Sequence, residues 1–369
     1  MTRKIRVGIL FGGRSGEFDV SLQSAASVIK ALDPAKYVIV PIGITREGQW
    51  RVGSGAAHLP THVLESGDPV TPSVDPSGPK LLSLKNVMPT RNSRPEIDVV
   101  FPVLHGTFGE DGTVQGLLEL ADLPYVGAGV LASATGMDKD VMKRLFRDAG
   151  LPVVPWELIF RPDWESNPGI VRKKIEKALR YPVFVKPVNM GSSVGISKVH
   201  NRSELSTALN LAAQFDRKIL VENGIDAREI ECAVLGNDHP RASVAGEVVP
   251  VNEFYDYEAK YLKEGSDLVI PARLTAQQRK QVREVAIRAF QAVDCAGMGR
   301  VDFLLERKTG KVFLNEINTI PGFTSISMYP KLWEASGLPY PHLLDRLIEL
   351  AFERHREKSR TRFDFSPQA

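Results

Sequence analysis

Residues 299–329 read GRVDFLLERKTGKVFLNEINTIPGFTSISMY, and the fold and chemistry of the chain turn on them. Residues 300–305 are rich in β-branched and aromatic side chains, as are 312–317, so each run reads as a strand. Lys308, Thr309 and Gly310 between them suit a three-residue hairpin loop, with Gly310 at the φ > 0 position. Such a loop pairs Arg307 with Lys311, and counting back sets Asp302 opposite Glu316. Side chains alternate along a strand. Asp302, Glu316 and Asn318 are therefore expected on one face, with Phe303, Leu305, Phe313 and Ile317 buried on the other. Two carboxylates and an amide oxygen make a hard, all-oxygen donor set of the kind Mg²⁺ takes, above all where phosphate supplies further oxygens. The plain alternative is a solvated polar face. Against it, carboxylates gathered in a half-buried place repel one another unless a cation joins them.

The chain around this stretch has 369 residues, enough for two or three domains with shared cores. A net charge of +3 is too small to argue for nucleic acid as a partner, although local basic patches can still gather an anionic substrate. Two cysteines, Cys232 and Cys295, exclude a disulfide framework and a four-cysteine zinc site; both sit in apolar segments and read as core. No apolar run approaches the roughly 20 residues of a membrane helix. Residues 1–10 lack the apolar core of a signal peptide. A cytoplasmic enzyme without a membrane partner is expected.

From the N-terminus, Ile5, Val7 and Ile9 alternate as in a strand, and a helix is expected from Ser21 to about Leu32. The loop between them, residues 11–17, is FGGRSGE; such loops receive anions at the following helix, but the spacing is not GxGxxG. Its Glu17 also suits a plain first-turn acid that favours the helix dipole. Residues 38–44 form a second strand, while 53–95 lack a clear period and promise short strands and loops. Residues 98–104 are an apolar run typical of a buried parallel strand. It ends in HGTFGEDG at 105–112, before a helix over 113–121; a lone histidine there is more often structural. Residues 124–128 close the first domain. A helix is expected from 137–139 to about 149, a strand over 151–159, a helix over 163–179 and a strand over 182–186. Lys186 then precedes Gly191, Ser192, Ser193 and Gly195. A strand-ending lysine before a Gly/Ser loop forms a phosphate cradle; a surface loop is the alternative, and the GK[ST] of a Walker A loop is absent. Strands follow over 219–222 and 228–234. Residues 251–272 are too polar for a core strand and read as a lid. A helix over 275–293 comes next, and the charged tail after about Arg354 is expected to fray.

The strings GRVDF at 299–303 and NEINTIPGFT at 315–324, with HGTFGEDG and the FYDYEAKY of 254–261, resemble the ATP-grasp ligases, closely the D-alanine–D-alanine ligase family. The resemblance runs from about Ile5 to about Leu350. It implies an N-terminal α/β parallel-sheet domain (1–128) before a two-part α+β ATP-grasp fold (129–222 and 223–369) that holds the nucleotide between its parts. It implies ATP as co-substrate, two Mg²⁺ or Mn²⁺ ions, and condensation of two D-alanines through a D-alanyl phosphate for peptidoglycan precursors, by a homodimer. By the same resemblance Lys139 and Lys186 contact phosphates. Glu222, Asn223, Gly224 and Ile225 line adenine, Glu229 meets ribose, and Phe254, Lys260 and Asn315 complete the ATP site. Asp302, Glu316 and Asn318 ligate metal. Glu17, tied to Ser192 and Tyr261, grips the first amino group, with His105 nearby. Arg300 and Gly322 stabilise an oxyanion, and Ser327 and Met328 hold the second carboxylate. Phe18 departs from the histidine common after the family's glutamate. Relatives that make D-alanyl-D-lactate or D-alanyl-D-serine are the competing enzyme reading, and Tyr261 argues against lactate. A nucleotide-binding protein with degraded chemistry is the non-enzyme reading, disfavoured because the metal, lysine and arginine positions are all kept.

Overall fold

The computed structural model describes residues 3–53, 59–84, 96–249 and 267–362. Among them the first sheet holds β1 (Ile5–Gly12), β2 (Tyr37–Ile44), β3 (Trp50–Val52), β4 (Asp68–Pro72), β5 (Leu81–Ser83) and β6 (Val99–Pro102), in the order β5-β4-β3-β2-β1-β6. β1 runs parallel to β2 and β6, as their continuous apolar runs require, and β3 to β5 extend the sheet antiparallel. Helices α1 (Phe18–Ala31), α2 (Pro60–Ser66) and α3 (Thr113–Leu120) accompany it. α1 begins three residues before the expected Ser21. That serine is not a cap but a buried tie: its hydroxyl accepts from Gly12 N at 2.8 Å and donates to Val103 O at 2.5 Å.

α4 (Val130–Met137) and α5 (Lys139–Asp148) lead on, with the Asp138 carboxylate capping α5 by accepting from Val141 N at 3.0 Å. The second sheet, β7 (Trp156–Phe160), β8 (Val183–Pro187), β9 (Ser197–Val199) and β10 (Lys218–Asn223), is antiparallel in the order β7-β10-β8-β9. α6 (Arg161–Ser166), α7 (Pro168–Ala178) and α8 (Arg202–Phe215) belong to this unit. The single helix expected over 163–179 is two helices. Asn167 sits at φ −139° and ψ 60°, because a residue before proline is pushed out of the helical region and Pro168 has no N–H to continue the ladder.

The third sheet is antiparallel, in the order β13-β12-β11-β14-β15: β11 (Ala227–Gly236), β12 (Arg241–Val249), β13 (Asp267–Val269), β14 (Gly297–Glu306) and β15 (Val312–Asn318). Against it lies α9 (Ala276–Ala292), started by a capping box of Thr275 and Gln278. Its buried Val282, Val285, Ala286, Ala289 and Phe290 follow the helical period. α10 (Met328–Ala335) and α11 (Tyr340–Lys358) complete the chain. α11 is ordered well past Arg354, so the fraying expected from that residue does not begin there.

The hairpin of β14 and β15 corrects one expectation and keeps another. Glu306, not Arg307, faces Lys311: Glu306 N donates to Lys311 O and Gly310 N to Glu306 O, both at 2.9 Å. Gly310 has φ +68°, as expected. This register is one residue short of the counted one, and a bulge restores it. Phe303 pairs with Leu314 and Asp302 with Glu316, leaving Asn315 as the extra residue. Phe313 is therefore on the carboxylate side, opposite Leu304, and Leu314 takes its place in the core.

Three further packings place the site. One face of the first sheet, with Val7, Ile9, Phe11, Val99 and Phe101, packs on α1 and on Leu343, Leu344, Leu347 and Ile348 of α11. The other face shares a core with Val114 and Leu118 of α3. Met142 and Phe146 of α5 are fully buried in the core of the third sheet, each contributing roughly 1.5–3 kcal/mol.

Candidate functional site

The carboxylate face stands as a network. Arg300 donates from Nε to Asp302 Oδ1 and from Nη2 to Asp302 Oδ2, both at 2.8 Å, and its Nε lies 2.9 Å from Glu231 Oε2. Asn318 Nδ2 donates to Asp302 Oδ2 at 2.9 Å. Glu316 Oε2 lies 3.9 Å from Lys139 Nζ, which donates to Met190 O at 2.8 Å. The hairpin thus brings Asp302, Glu316 and Asn318 together, and the bulge turns Asn315 beside Glu316. Sequence reasoning missed Glu231. It lies directly across from Asp302 and two residues after Glu229, so the period of two along β11 carried the signal.

A second cluster lies behind it, where β8, β10 and α5 meet. Glu222 takes Lys186 Nζ on Oε1 and Lys143 Nζ on Oε2, the latter at 2.8 Å. Burial opposes the charge on Glu222, but the two ammonium groups outweigh it and hold its carboxyl down at about 2. Burial likewise opposes the charge on Lys186, and Glu222, with Glu316 and Glu229 further off, raises its pKa above the usual lysine value. Asn223 and Gly224 follow, with Gly224 N donating to Pro182 O at 2.7 Å. Lys143 was also missed, although it stands one helical turn after Lys139.

The third cluster joins the first sheet to the others. Glu17 Oε1 accepts from the Ser192 hydroxyl, across 175 residues of chain. Ser192 and Ser193 have φ of 51° and 61°, the left-handed conformation that turns this loop toward Glu17. Gly106 and Gly191 let the backbone approach: a Cβ at either would stand 2.6 or 2.8 Å from Glu17 Oε2. His105 is buried. Its Nδ1 lies 3.0 Å from Ile320 O and its Nε2 3.2 Å from Ser24 Oγ, which accepts from Phe323 N at 3.1 Å. The carbonyl only accepts, so Nδ1 carries the proton and Nε2 accepts from Ser24. Burial holds this ring below the usual histidine pKa, and the neutral form fits both contacts. Glu110, another residue that sequence reasoning missed, accepts from Gly106 N at 2.8 Å and Ile320 N at 3.3 Å. Burial first, then the nearby Glu17 charge, pushes its carboxyl well above the usual glutamate range. Ser24, His105 and Glu110 thus hold residues 320–323, where Gly322 lies.

Beyond Gly322, the Ser327 hydroxyl accepts from Thr324 N at 3.0 Å and lies 2.7 Å from where a Cβ on Gly322 would stand. Met328 opens α10, and its side chain is buried in the core, so the helix N-terminus there is a backbone feature. Phe254, Lys260 and Tyr261, together with most of the expected lid, lie outside the described residues.

The structure thus holds a carboxylate face, two lysines beside a Gly/Ser loop, and a glutamate tied to that loop. Comparison with known proteins identifies the family. The family model described as D-ala D-ala ligase N-terminus matches residues 6–128, and D-ala D-ala ligase C-terminus matches 145–349. The chain is similar to the D-alanine–D-alanine ligase of Thermoanaerobacter sp. (strain X514), 54% identical over 361 residues, covering 97% of this chain and 99% of that protein. The D-alanine-D-alanine ligase structure from Coxiella burnetii superposes with a TM-score of 0.84 at 42% identity, over 96% of each chain. The VanG D-Ala:D-Ser ligase from Enterococcus faecalis gives a TM-score of 0.84 at 39% identity, over 95% of this chain and 100% of that one. With both family models matched and half the residues shared with a full-length relative, the chain belongs to the D-alanine–D-alanine ligase family.

Proposed function

We propose that the chain joins two D-alanine molecules while converting ATP to ADP and phosphate, supplying peptidoglycan precursors. The observation that carries this reading is the bond from Ser192 to Glu17. It draws the phosphate loop after Lys186 onto the N-terminal loop, so an amino-group acceptor and a phosphate cradle share one site. The family relation supplies ATP and D-alanine as substrates.

In the reaction, a carboxylate oxygen of the first D-alanine attacks the γ-phosphorus of ATP, and ADP leaves. Lys139 and Lys186 neutralise phosphate oxygens, since phosphoryl transfer depends mainly on positioning and charge. Glu222, Asn223, Gly224 and Ile225 border the adenine, Glu229 the ribose, and Asn315 reaches the nucleotide from the bulge. Glu17 holds the first ammonium, and its tie to Ser192 (with Tyr261 of the closing loop) keeps the loops together. The second amine, once deprotonated, attacks the acyl phosphate carbon. Arg300 and the Gly322 N–H stabilise the tetrahedral oxyanion before phosphate departs. Ser327 and the backbone at Met328 receive the second carboxylate, at a helix N-terminus suited to an anion.

Asp302, Glu316 and Asn318 fit divalent cations in kind: each can offer oxygen on one face, and the two carboxylates lie among the cations Arg300 and, further off, Lys139. Two Mg²⁺ or Mn²⁺ held there would screen the charge on the transferring phosphoryl group. The homodimer follows from the family resemblance. A cytoplasmic setting fits the use of ATP, and no helix among the described residues is long and apolar enough to cross a membrane.

The test is product analysis with purified protein, ATP and D-alanine, alone and in competition with D-serine and D-lactate. D-alanyl-D-alanine with stoichiometric phosphate is expected. A dominant D-alanyl-D-serine product would move the chain to the activity named for the Enterococcus relative.

A further inference from the structure

Lys143 lies on α5, one turn beyond Lys139, and is 2% exposed. A buried ammonium is strongly unfavourable unless paired. Its partner is Glu222, which also takes Lys186 on its other oxygen. Two ammonium groups on one carboxylate leave the cluster with a charge of +1. The two lysines are not equivalent. The Lys143 side chain is 2% exposed and that of Lys186 13%. Lys143 is fixed in mid-helix, with its ammonium 5.7 Å from the centre of the Trp156 ring and with Met142 of the same helix anchored in the third sheet's core. Lys186 stands near the end of β8, where the Gly/Ser loop begins.

We infer that Lys143 is a positioning residue: it keeps Glu222 paired by itself, so that Lys186 can leave Glu222 for the phosphates of the nucleotide. This rests on the reading of Lys186 as a phosphate ligand. Without Lys143, Glu222 and Lys186 are a neutral buried pair, and drawing Lys186 away strands a buried carboxylate. With Lys143 present, the departure of Lys186 leaves a neutral pair behind, so the extra positive charge is available to an incoming anion. With both lysines in place the carboxyl of Glu222 is held low despite burial, Lys143 contributing at least as much as Lys186.

Calorimetric titration of the full chain tests this. Lys143→Met is expected to raise the dissociation constant for a non-hydrolysable ATP analogue at least about tenfold, while that for D-alanine is unchanged. Lys143→Arg, which keeps the charge, should recover most of the loss. The double variant Lys143→Met/Glu222→Gln removes the stranded charge and restores the +1, so it should bind inorganic tripolyphosphate better than Lys143→Met alone. Should Lys143→Met fail to fold, the double variant is compared with the wild type: similar tripolyphosphate affinity supports the inference, and a loss beyond about tenfold overturns it. Wild-type nucleotide affinity in Lys143→Met, an equal loss for both substrates, or no recovery in the double variant also overturns it. Lys186→Ala separates the two readings. Unchanged nucleotide affinity there removes Lys186 from the phosphates, whereas a loss there with none in Lys143→Met removes only the role of Lys143.

Discussion

The ion pair of Glu316 with Lys139 adds little stability: it is long, at 3.9 Å, and the Glu316 side chain is partly exposed. In the proposed reaction its value is for catalysis, as a charge between cations. Glu316→Gln should therefore keep the thermal midpoint and abolish ATP turnover; full activity at ordinary Mg²⁺ would sink the two-metal assignment. Glu222 is the opposite case. Its folded pKa, about 2, lies below the ordinary 4.5. A depressed carboxyl contributes stability that is complete above its unfolded pKa and is lost as pH falls through the folded one. Urea midpoints of the wild type should fall between pH 4.5 and 2 more steeply than those of Glu222→Gln. Parallel curves would show that the lysine pair does not hold that proton off.

At the scale of elements, what the sequence made legible was the local pattern. The alternation around Asp302 and the helix start at Thr275 are short-range, and both appear in the structure. The break at Pro168 was visible as a proline, yet the single helix expected over 163–179 ran through it. The pairing of Asp302 with Glu316 holds for a reason that counting did not contain, because the loop closes one residue earlier and Asn315 makes up the difference. That bulge yields a prediction. Removing Asn315 leaves Leu314 opposite Phe303 and Glu316 opposite Asp302 in an unbroken ladder, with alternation intact. The deletion variant should fold with a thermal midpoint near that of the wild type, yet lose ATP turnover, since bulges re-aim side chains beside active sites. Loss of folding in that variant would show that the bulge sets the register rather than serving the site.

Across the whole molecule, the partition that sequence suggests is not the one that packing uses, because which surfaces meet depends on contacts hundreds of residues apart. α11, the last helix, shares the core of the first sheet, and α5 shares that of the third. The seam runs past Gly127 and Gly297, whose φ angles are +96° and +73°; a Cβ on Gly297 would stand 3.1 Å from Gly127 Cα. Arg354 closes this seam. Its guanidinium donates to Gly127 O and, at 3.1 Å, to Tyr125 O, and its carbon lies 4.1 Å from the centre of the Tyr125 ring. Burial lowers its pKa, so the charge is held at some cost and is kept by these carbonyls and the ring. Arg354→Met preserves the packing of the stem but leaves two carbonyls without their donor, each costing about 1–3 kcal/mol if it stays dry. The variant should unfold at lower denaturant and should lose hydrogen-exchange protection first around residues 125–129, where the first sheet is joined to the rest. The cluster of Lys143, Lys186 and Glu222, proposed to serve the nucleotide, draws on other elements, so the affinity for an ATP analogue should change little. An unaltered denaturation midpoint would make Arg354 a bystander. A fall in nucleotide affinity as large as the fall in stability would mean instead that the seam and the nucleotide site are one cooperative unit.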